Sequence, residues 1–253
     1  MRAPVDTIVA PLFPTGLPWA NVVGREASII QRGKPLLIEF WDFCRPNSLR
    51  TLPYLQAWHE RYAQDGLRIV GVHSPGFEPA RDEDAVRAAV ARLGIEYPVL
   101  IDRELELWRD YENQGWPARY LFDGRARLID YHSGEGGYGE TELAIQRLVG
   151  VEREPIAPLR PEDVPGVRLL AQTEDQPGPY SGPYEAGGVW AVLDGAGAVE
   201  VNGDPGAGGS GLVISQPGAY PLIEHERHTA GVLALECGPG VDCLATCFTP
   251  GVG

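Results

Sequence analysis

Cys44, Arg45, Asn47 and Ser48 put a thiol, a guanidinium, an amide and a hydroxyl side by side, within the stretch L-L-I-E-F-W-D-F-C-R-P-N-S-L-R-T-L-P that runs from Leu36 to Pro53. Two chemistries suit such a group. A thiol becomes a nucleophile when its pKa is pulled below the ordinary ~8.5, which a helix N-terminus and nearby arginines do. An anion or a peptide carbonyl is held when backbone N–H groups and a guanidinium converge on it. Both chemistries ask for the same support, a strand that ends in a tight turn and feeds the N-terminus of a helix.

The flanking residues supply that support. The apolar run Leu36 to Trp41 follows Gly33-Lys34-Pro35 and reads as a buried strand. Asn47 or Ser48 is the expected cap of a helix on which Leu49, Leu52, Leu55, Trp58 and Tyr62 step at threes and fours, with Gly66 as its stop and Pro53 as an expected kink.

This stretch resembles the active-site turn of thioredoxin-like proteins of the TlpA and DipZ type, whose pattern is Phe-Trp, three residues, Cys-x-x-Cys, four residues, Pro. Phe40, Trp41 and Pro53 keep those separations without a gap, so Arg45 and Ser48 fall in the cysteine slots and Cys44 stands one residue before the nucleophile. A second alignment deletes one residue before Cys44 and sets C-R-P-N on the family's C-G-P-C. Cys44 is then the nucleophile and Asn47 occupies the resolving slot. In both alignments the second thiol that would release a mixed disulfide is missing. The resemblance extends to Trp58-His59, to Gly71 through Pro75, to Gly134-Glu135-Gly136, and to Gly115-Trp116-Pro117-Ala118. It implies that Pro117 is a cis-proline facing the turn, where it helps to hold an extended segment.

The rest of the first 150 residues agrees with such a fold. Expected strands at Leu67–His73, Pro98–Ile101, Arg119–Asp123 and Leu128–Tyr131 alternate with expected helices opening at Asp82, at Leu105–Tyr111 and at Glu140–Val149. Strands alternating with helices give a parallel sheet covered on both faces, and the short link at Gly124 makes the closing pair antiparallel. An edge strand is expected near Ala27 to Ile30. Residues 152–166 then pack four prolines and six charges into an expected linker. Beyond it, short alternating runs at Val189–Leu193, Ala198–Val201, Leu212–Ser215, Ala219–Ile223, Val232–Cys237 and Asp242–Phe248 read as a small all-β sandwich. The expected organisation is a thioredoxin-like α/β domain over residues 1–151 and a sandwich over 167–253. The latter resembles the module that follows the thioredoxin-like domain in DipZ-type proteins and looks like carbohydrate-binding sandwiches. Sugar binding enters only through that resemblance.

Composition narrows the partners. A formal charge of −14 argues against nucleic acid and anionic membrane surfaces. No apolar run approaches the roughly 20 residues of a spanning helix, and the N-terminal residues are broken by prolines at positions 4, 11, 14 and 18, so the expectation is a cytoplasmic protein. Lys34 is the only lysine beside 20 arginines, which leaves little for Schiff-base chemistry, and no Gly-rich phosphate loop is present.

Two readings of the site follow. In one, Cys44 is the sole attacking thiol, Arg45 and Ser48 stand in the turn with it, and Pro117 positions a protein thiol or extended peptide as substrate. In the other, the site is redox-silent and a groove between Trp41, Arg45, Trp116 and Pro117, with Asn47 as a further binding candidate, binds a partner. His73, at a strand end, is a site-edge candidate. Arg45 is expected either to bind a carboxylate, phosphate or peptide carbonyl or to pair with Glu39, Asp42 or an acidic surface residue. No cofactor or metal is expected: His225-Glu226-Arg227-His228 falls in an expected loop, and Cys237, Cys243 and Cys247 lack paired Cys-x-x-Cys spacing. Cys243 and Cys247, four apart in one expected strand, would share a face about 13 Å apart at ~3.3 Å per residue. The three are expected to be reduced core thiols, although Cys237 can face Cys243 across Gly238-Pro239-Gly240.

Overall fold

The computed structural model describes residues 8–22, 31, 33–202 and 210–253. The expected edge strand near Ala27 to Ile30 lies outside them. The chain forms two compact units, one made of Met1–Phe43 with Asn47–Ala157 and the other of Pro158–Gly253 with Cys44–Pro46.

The first unit runs β1 (Trp19–Ala20), β2 (Leu36–Trp41), α1 (Pro46–Tyr62), β3 (Arg68–His73), a 3-10 turn (Glu78–Arg81), α2 (Glu83–Arg92), β4 (Val99–Ile101), α3 (Glu106–Asp110), β5 (Ala118–Phe122), β6 (Leu128–Ser133) and α4 (Tyr138–Val149). Its sheet has the order β1-β4-β3-β2-β5-β6. Strands β2, β3 and β4 are parallel, whereas β5 and β6 are antiparallel to their neighbours. Every residue of β2 is buried, which is why the strand reads as an apolar run broken only by Glu39. Phe40 faces an aromatic cluster of Trp108, Tyr111 and Tyr120 on one side of the sheet.

Helix α1 begins at Pro46, earlier than the expected cap at Asn47 or Ser48. Proline suits the first helical turn because its φ is already helical and it has no N–H to satisfy. Ser48 therefore lies inside that turn, and its hydroxyl accepts the backbone N–H of Asp42 at 3.2 Å, which ties the helix start back to the end of β2. The helix continues through Pro53 to Tyr62, with Leu52, Leu55, Trp58 and Tyr62 buried as their spacing predicts.

The second unit comprises β7 (Leu169–Leu170), β8 (Gln176–Pro177), β9 (Ser181–Gly195), β10 (Gly197–Asn202), β11 (Ser210–Ile214), β12 (Gly218–Cys237), β13 (Val241–Thr249) and β14 (Gly251–Val252). The expected strands Ala219–Ile223 and Val232–Cys237 are the two halves of β12, so His225 and His228 lie within a strand and not in a loop. The half Thr229–Ala234 pairs with Ser181–Ala186, and the half Gly218–Glu224 pairs with Gly188–Leu193, with register shifts between. Both long strands thus cross from one layer to the other. Six of the strands form one hydrogen-bonded sheet folded over a core that includes Val189, Ala191 and Leu193 on one side and Val199, Leu233 and Leu235 on the other, and β7 pairs with β14 as a separate two-stranded sheet. Gly187 marks the crossing in β9, where a Cβ would come within 2.3 Å of the Pro250 carbonyl. A second irregularity, between Cys243 and Ala245, inserts one residue into β13. Cys243 then pairs with Leu193 and Cys247 with Trp190, on opposite faces, which corrects the expectation that they share one.

Residues 152–157, inside the proline-rich segment, are held to the first unit. Glu142 on α4 is 1% exposed, and its carboxylate accepts the Tyr62 hydroxyl at 2.5 Å, Arg61 at 3.1 Å and the Ile156 N–H at 2.8 Å. Gln146 bridges Tyr62 and the Arg153 backbone, and Arg61 also donates to the Glu154 carbonyl. Burial, then the hydrogen bond to Glu142, pushes the Tyr62 phenol up to about 12. Replacing Glu142 with Ala strands these donors, and denaturant unfolding is expected to show a loss of about 3 kcal/mol. A loss under about 0.5 kcal/mol, the size of a surface change, would show that the carboxylate does not anchor this junction.

Candidate thiol site at the turn between β2 and α1

The register of β2 with β5 sets the frame. Phe40 pairs with Ala118, so Trp41 and the turn that follows lie beside Pro117. The Trp116–Pro117 peptide is cis, Pro117 is buried, and its carbonyl accepts the Gly134 N–H at 2.8 Å. Cys44 occupies the turn and is fully buried. Arg45, half-buried, immediately precedes α1, and Asn47 on the first helical turn is exposed.

The loop after β3 closes over the same end. The Ser74 N–H donates to the Trp41 carbonyl at 3.0 Å, and the Gly76 N–H donates to the Asp42 carboxylate at 2.7 Å. His73 is fully buried, edge-on to Trp41, stacked on Phe43 with ring centres 5.1 Å apart, and its Nε2 lies 3.6 Å from Asp42. Trp41 lies over Gly71, where a Cβ would approach its indole nitrogen to 2.9 Å. Trp41, His73, Ser48 and Cys44 are therefore gathered at one end of the sheet, with Trp116 joined to them by a 2.8 Å hydrogen bond from its indole N–H to the Ser74 carbonyl.

Two buried carboxylates belong here that the residue pattern alone does not assign to the site. Asp102, just past β4, accepts the Ser74 hydroxyl at 3.1 Å and the Leu107 and Trp108 N–H groups at 3.1 and 2.9 Å. It fixes the start of α3, and so the Trp108 ring that lies against Trp116 at 4.3 Å. Its position after the buried run Val99–Ile101 was the available signal. Burial raises its pKa, and the backbone hydrogen bonds from Trp108 and Leu107 oppose that.

Glu39 is the second, and an acid inside an all-buried strand was its signal. It does not serve Arg45 as expected: in the β2–β5 register it stands opposite Arg119, because an inward-facing residue of a central strand reaches only its neighbours in the sheet and the helices above. Arg119 is itself buried, its guanidinium 5.9 and 5.0 Å from the rings of Trp58 and Tyr138, with Nη2 donating to the Gly136 carbonyl at 2.5 Å. Neither Glu39 oxygen has a hydrogen-bond partner among the described residues. Burial pushes this carboxyl up to about 8 despite the opposing charge of Arg119, and Glu39 contributes after burial to holding the Tyr97 phenol well above its ordinary range.

Chemically, the turn can offer one sulfur and no partner sulfur, since Ser48 and Asn47 fill the positions where a second would stand. Among the described residues no group of three His, Cys, Asp or Glu side chains is arranged to hold a metal. His225 and His228 are engaged elsewhere, with the Tyr184 hydroxyl and the Ala171 carbonyl, each at 2.9 Å.

No protein-family model matches the chain. It is 32% identical over 163 residues to the protein DipZ of Mycobacterium tuberculosis, a match that covers 61% of this chain and 24% of DipZ. The chain thus spans about a quarter of the length of that relative. It is 30% identical over 132 residues to the thiol-disulfide oxidoreductase YkuV of Bacillus subtilis, covering 52% of this chain and 87% of YkuV. Among solved structures, the solution structure of a thioredoxin-like protein in the oxidised form superposes with a TM-score of 0.50 at 26% identity, covering 59% of this chain and all of that one.

Glu39 gives the site a pH signature. Unfolded, its carboxyl ionises near 4.5; folded, it keeps its proton to about 8. The folded state binds more protons between those values, so stability falls as pH rises across the window. Glu39→Gln is expected to flatten that slope in unfolding midpoints measured from one end of the window to the other, and an unchanged slope would remove Glu39 as its source. On its strand, turn and helix, its cis-proline and these relatives, the chain belongs to the thioredoxin-like redoxins of the TlpA and DipZ type.

Proposed function

We propose that this chain carries out thiol-based redox chemistry on protein disulfides through Cys44 alone. The Cys44 thiolate attacks one sulfur of a substrate disulfide, a new S–S bond forms, and the substrate's other sulfur leaves as a thiolate. With no resolving cysteine in the chain's own turn, a second thiol from outside must attack the mixed disulfide and restore Cys44. One observation carries the reading: the thiol sits in the turn between β2 and the head of α1, and the β2–β5 register brings the end of that strand next to cis-Pro117. Relatives named thiol-disulfide oxidoreductases, YkuV and the ResA of Halalkalibacterium halodurans, support it. An extended peptide is the substrate form that suits a cis-proline shelf flanked by Trp116.

Burial sets the kinetics. A thiol with no exposed surface reacts only when its surroundings open locally, so modification of Cys44 is expected to level off as reagent concentration rises. Peptide mapping of the native protein after timed alkylation, with Cys44→Ser as control, measures this. Labelling of Cys44 at a limiting rate under native conditions supports the proposal; labelling only after unfolding would overturn it and leave a redox-silent groove. Without an added thiol, insulin reduction is expected to stop at one attack per chain, because each attack ends in a mixed disulfide that the chain's own turn does not resolve.

A further inference from the structure

We propose that Cys237 and Cys243 form a disulfide that ties together the two layers of the C-terminal sandwich. Cys237 ends β12 and pairs with Val199 of β10 in one layer, while Cys243 in β13 pairs with Leu193 of β9 in the other. The connection between them, Gly238-Pro239-Gly240, is pressed onto the neighbouring turn between β9 and β10. The Gly238 N–H donates to the Ala198 carbonyl at 2.8 Å, and the Ala196 N–H donates to the Gly240 carbonyl at 2.9 Å. Three glycines permit this approach. A Cβ at Gly195 would come within 2.1 Å of the Gly240 oxygen, one at Gly197 within 2.8 Å of the Pro239 oxygen, and one at Gly238 within 2.8 Å of the Ala198 oxygen. The result brings both cysteines against the same sandwich core, their thiols interacting side chain to side chain. The extra residue in β13 turns Cys247 to the other face, so it does not compete for either partner.

The oxidant is a disulfide, of a small thiol or of a protein. The Cys237 thiolate attacks one of its sulfurs and expels the first thiolate. Cys243 then attacks the Cys237 sulfur and expels the second. Two electrons pass to the oxidant, and the two cysteine protons end on the two thiols released. Burial pushes Cys243 up to about 11 and raises Cys237 as well, so at neutral pH both are slow attackers. The bond is therefore structural: made once and kept, it closes a short loop across two layers.

The test uses the full chain, incubated with glutathione disulfide, then denatured, alkylated and digested on the N-terminal side of aspartate. Cleavage before Asp242 places Cys237 and Cys243 on different peptides. The expected result is the loss of the Cys237 and Cys243 thiols to alkylation and a single linked pair, Cys237 with Cys243, which dithiothreitol separates, whether or not Cys44 carries a glutathione adduct. Thermal unfolding of the sandwich is expected to move up on oxidation and back on reduction. Full alkylation of both cysteines after oxidant, or a link from either to Cys247 or to a second molecule, would overturn the proposal. The parent chain alone is sufficient for this measurement, so its outcome does not depend on whether Cys237→Ser folds.

Discussion

In register with β5, strand β2 ends next to Pro117 and hands the chain to the turn that holds Cys44. That register is fixed because both strands lie in the middle of the sheet and bury both faces. A slip by one residue would turn Ile38 and Phe40 out of the aromatic cluster and drive Glu39 and Arg119 into it. The thiol, the cis-proline and the His73 loop meet at one end of the sheet because three adjacent strands end there. The hydrogen bonds from Ser74, Gly76 and Trp116 hold their closing loops together.

Around this frame the chain combines a family scaffold with an altered turn. Where the family carries two cysteines this turn carries one, and the Ser48 hydroxyl has a structural task, closing the Asp42 N–H at the end of β2. The remaining thiol is covered. A buried thiol fits chemistry that waits on local opening, where access sets the rate. Behind the turn, Glu39 and Arg119 keep a carboxyl of raised pKa and a cation within the sheet, away from water and from hydrogen-bond partners for the carboxyl. Such a pair costs stability where a hydrophobic pair would not.

Much of this is legible in the sequence. The run Leu36–Trp41, the helix face from Leu52 to Tyr62 and the spacing from Phe40 to Pro53 point to the central strand, turn and helix, because burial on both faces and helical periodicity leave plain marks in sequence. The helix starts two or three residues before its expected place, since Pro46 competes with Asn47 and Ser48 for the first turn. Glu39 and Asp102 escape notice as site residues because their roles come from partners far along the chain, Arg119 in one case and Ser74 with the α3 backbone in the other. In the sandwich, the alternating runs are visible but their continuity is not. A strand that crosses between layers breaks its own alternation at the bend, so β12 reads as two strands and its middle as a loop. A single inserted residue in β13 reverses the face of Cys247 for the same reason.

The central claim, that Cys44 is a working thiol held beside Pro117, is tested most directly by trapping. A variant keeping Cys44 as its only cysteine would be mixed with an extended peptide whose cysteine is activated as a thionitrobenzoate disulfide. The expected result is stoichiometric release of thionitrobenzoate and a peptide adduct on Cys44 that added thiol removes, formed more slowly when Pro117 is replaced by Ala. An adduct that forms only in denaturant, or one indifferent to Pro117, would contradict it.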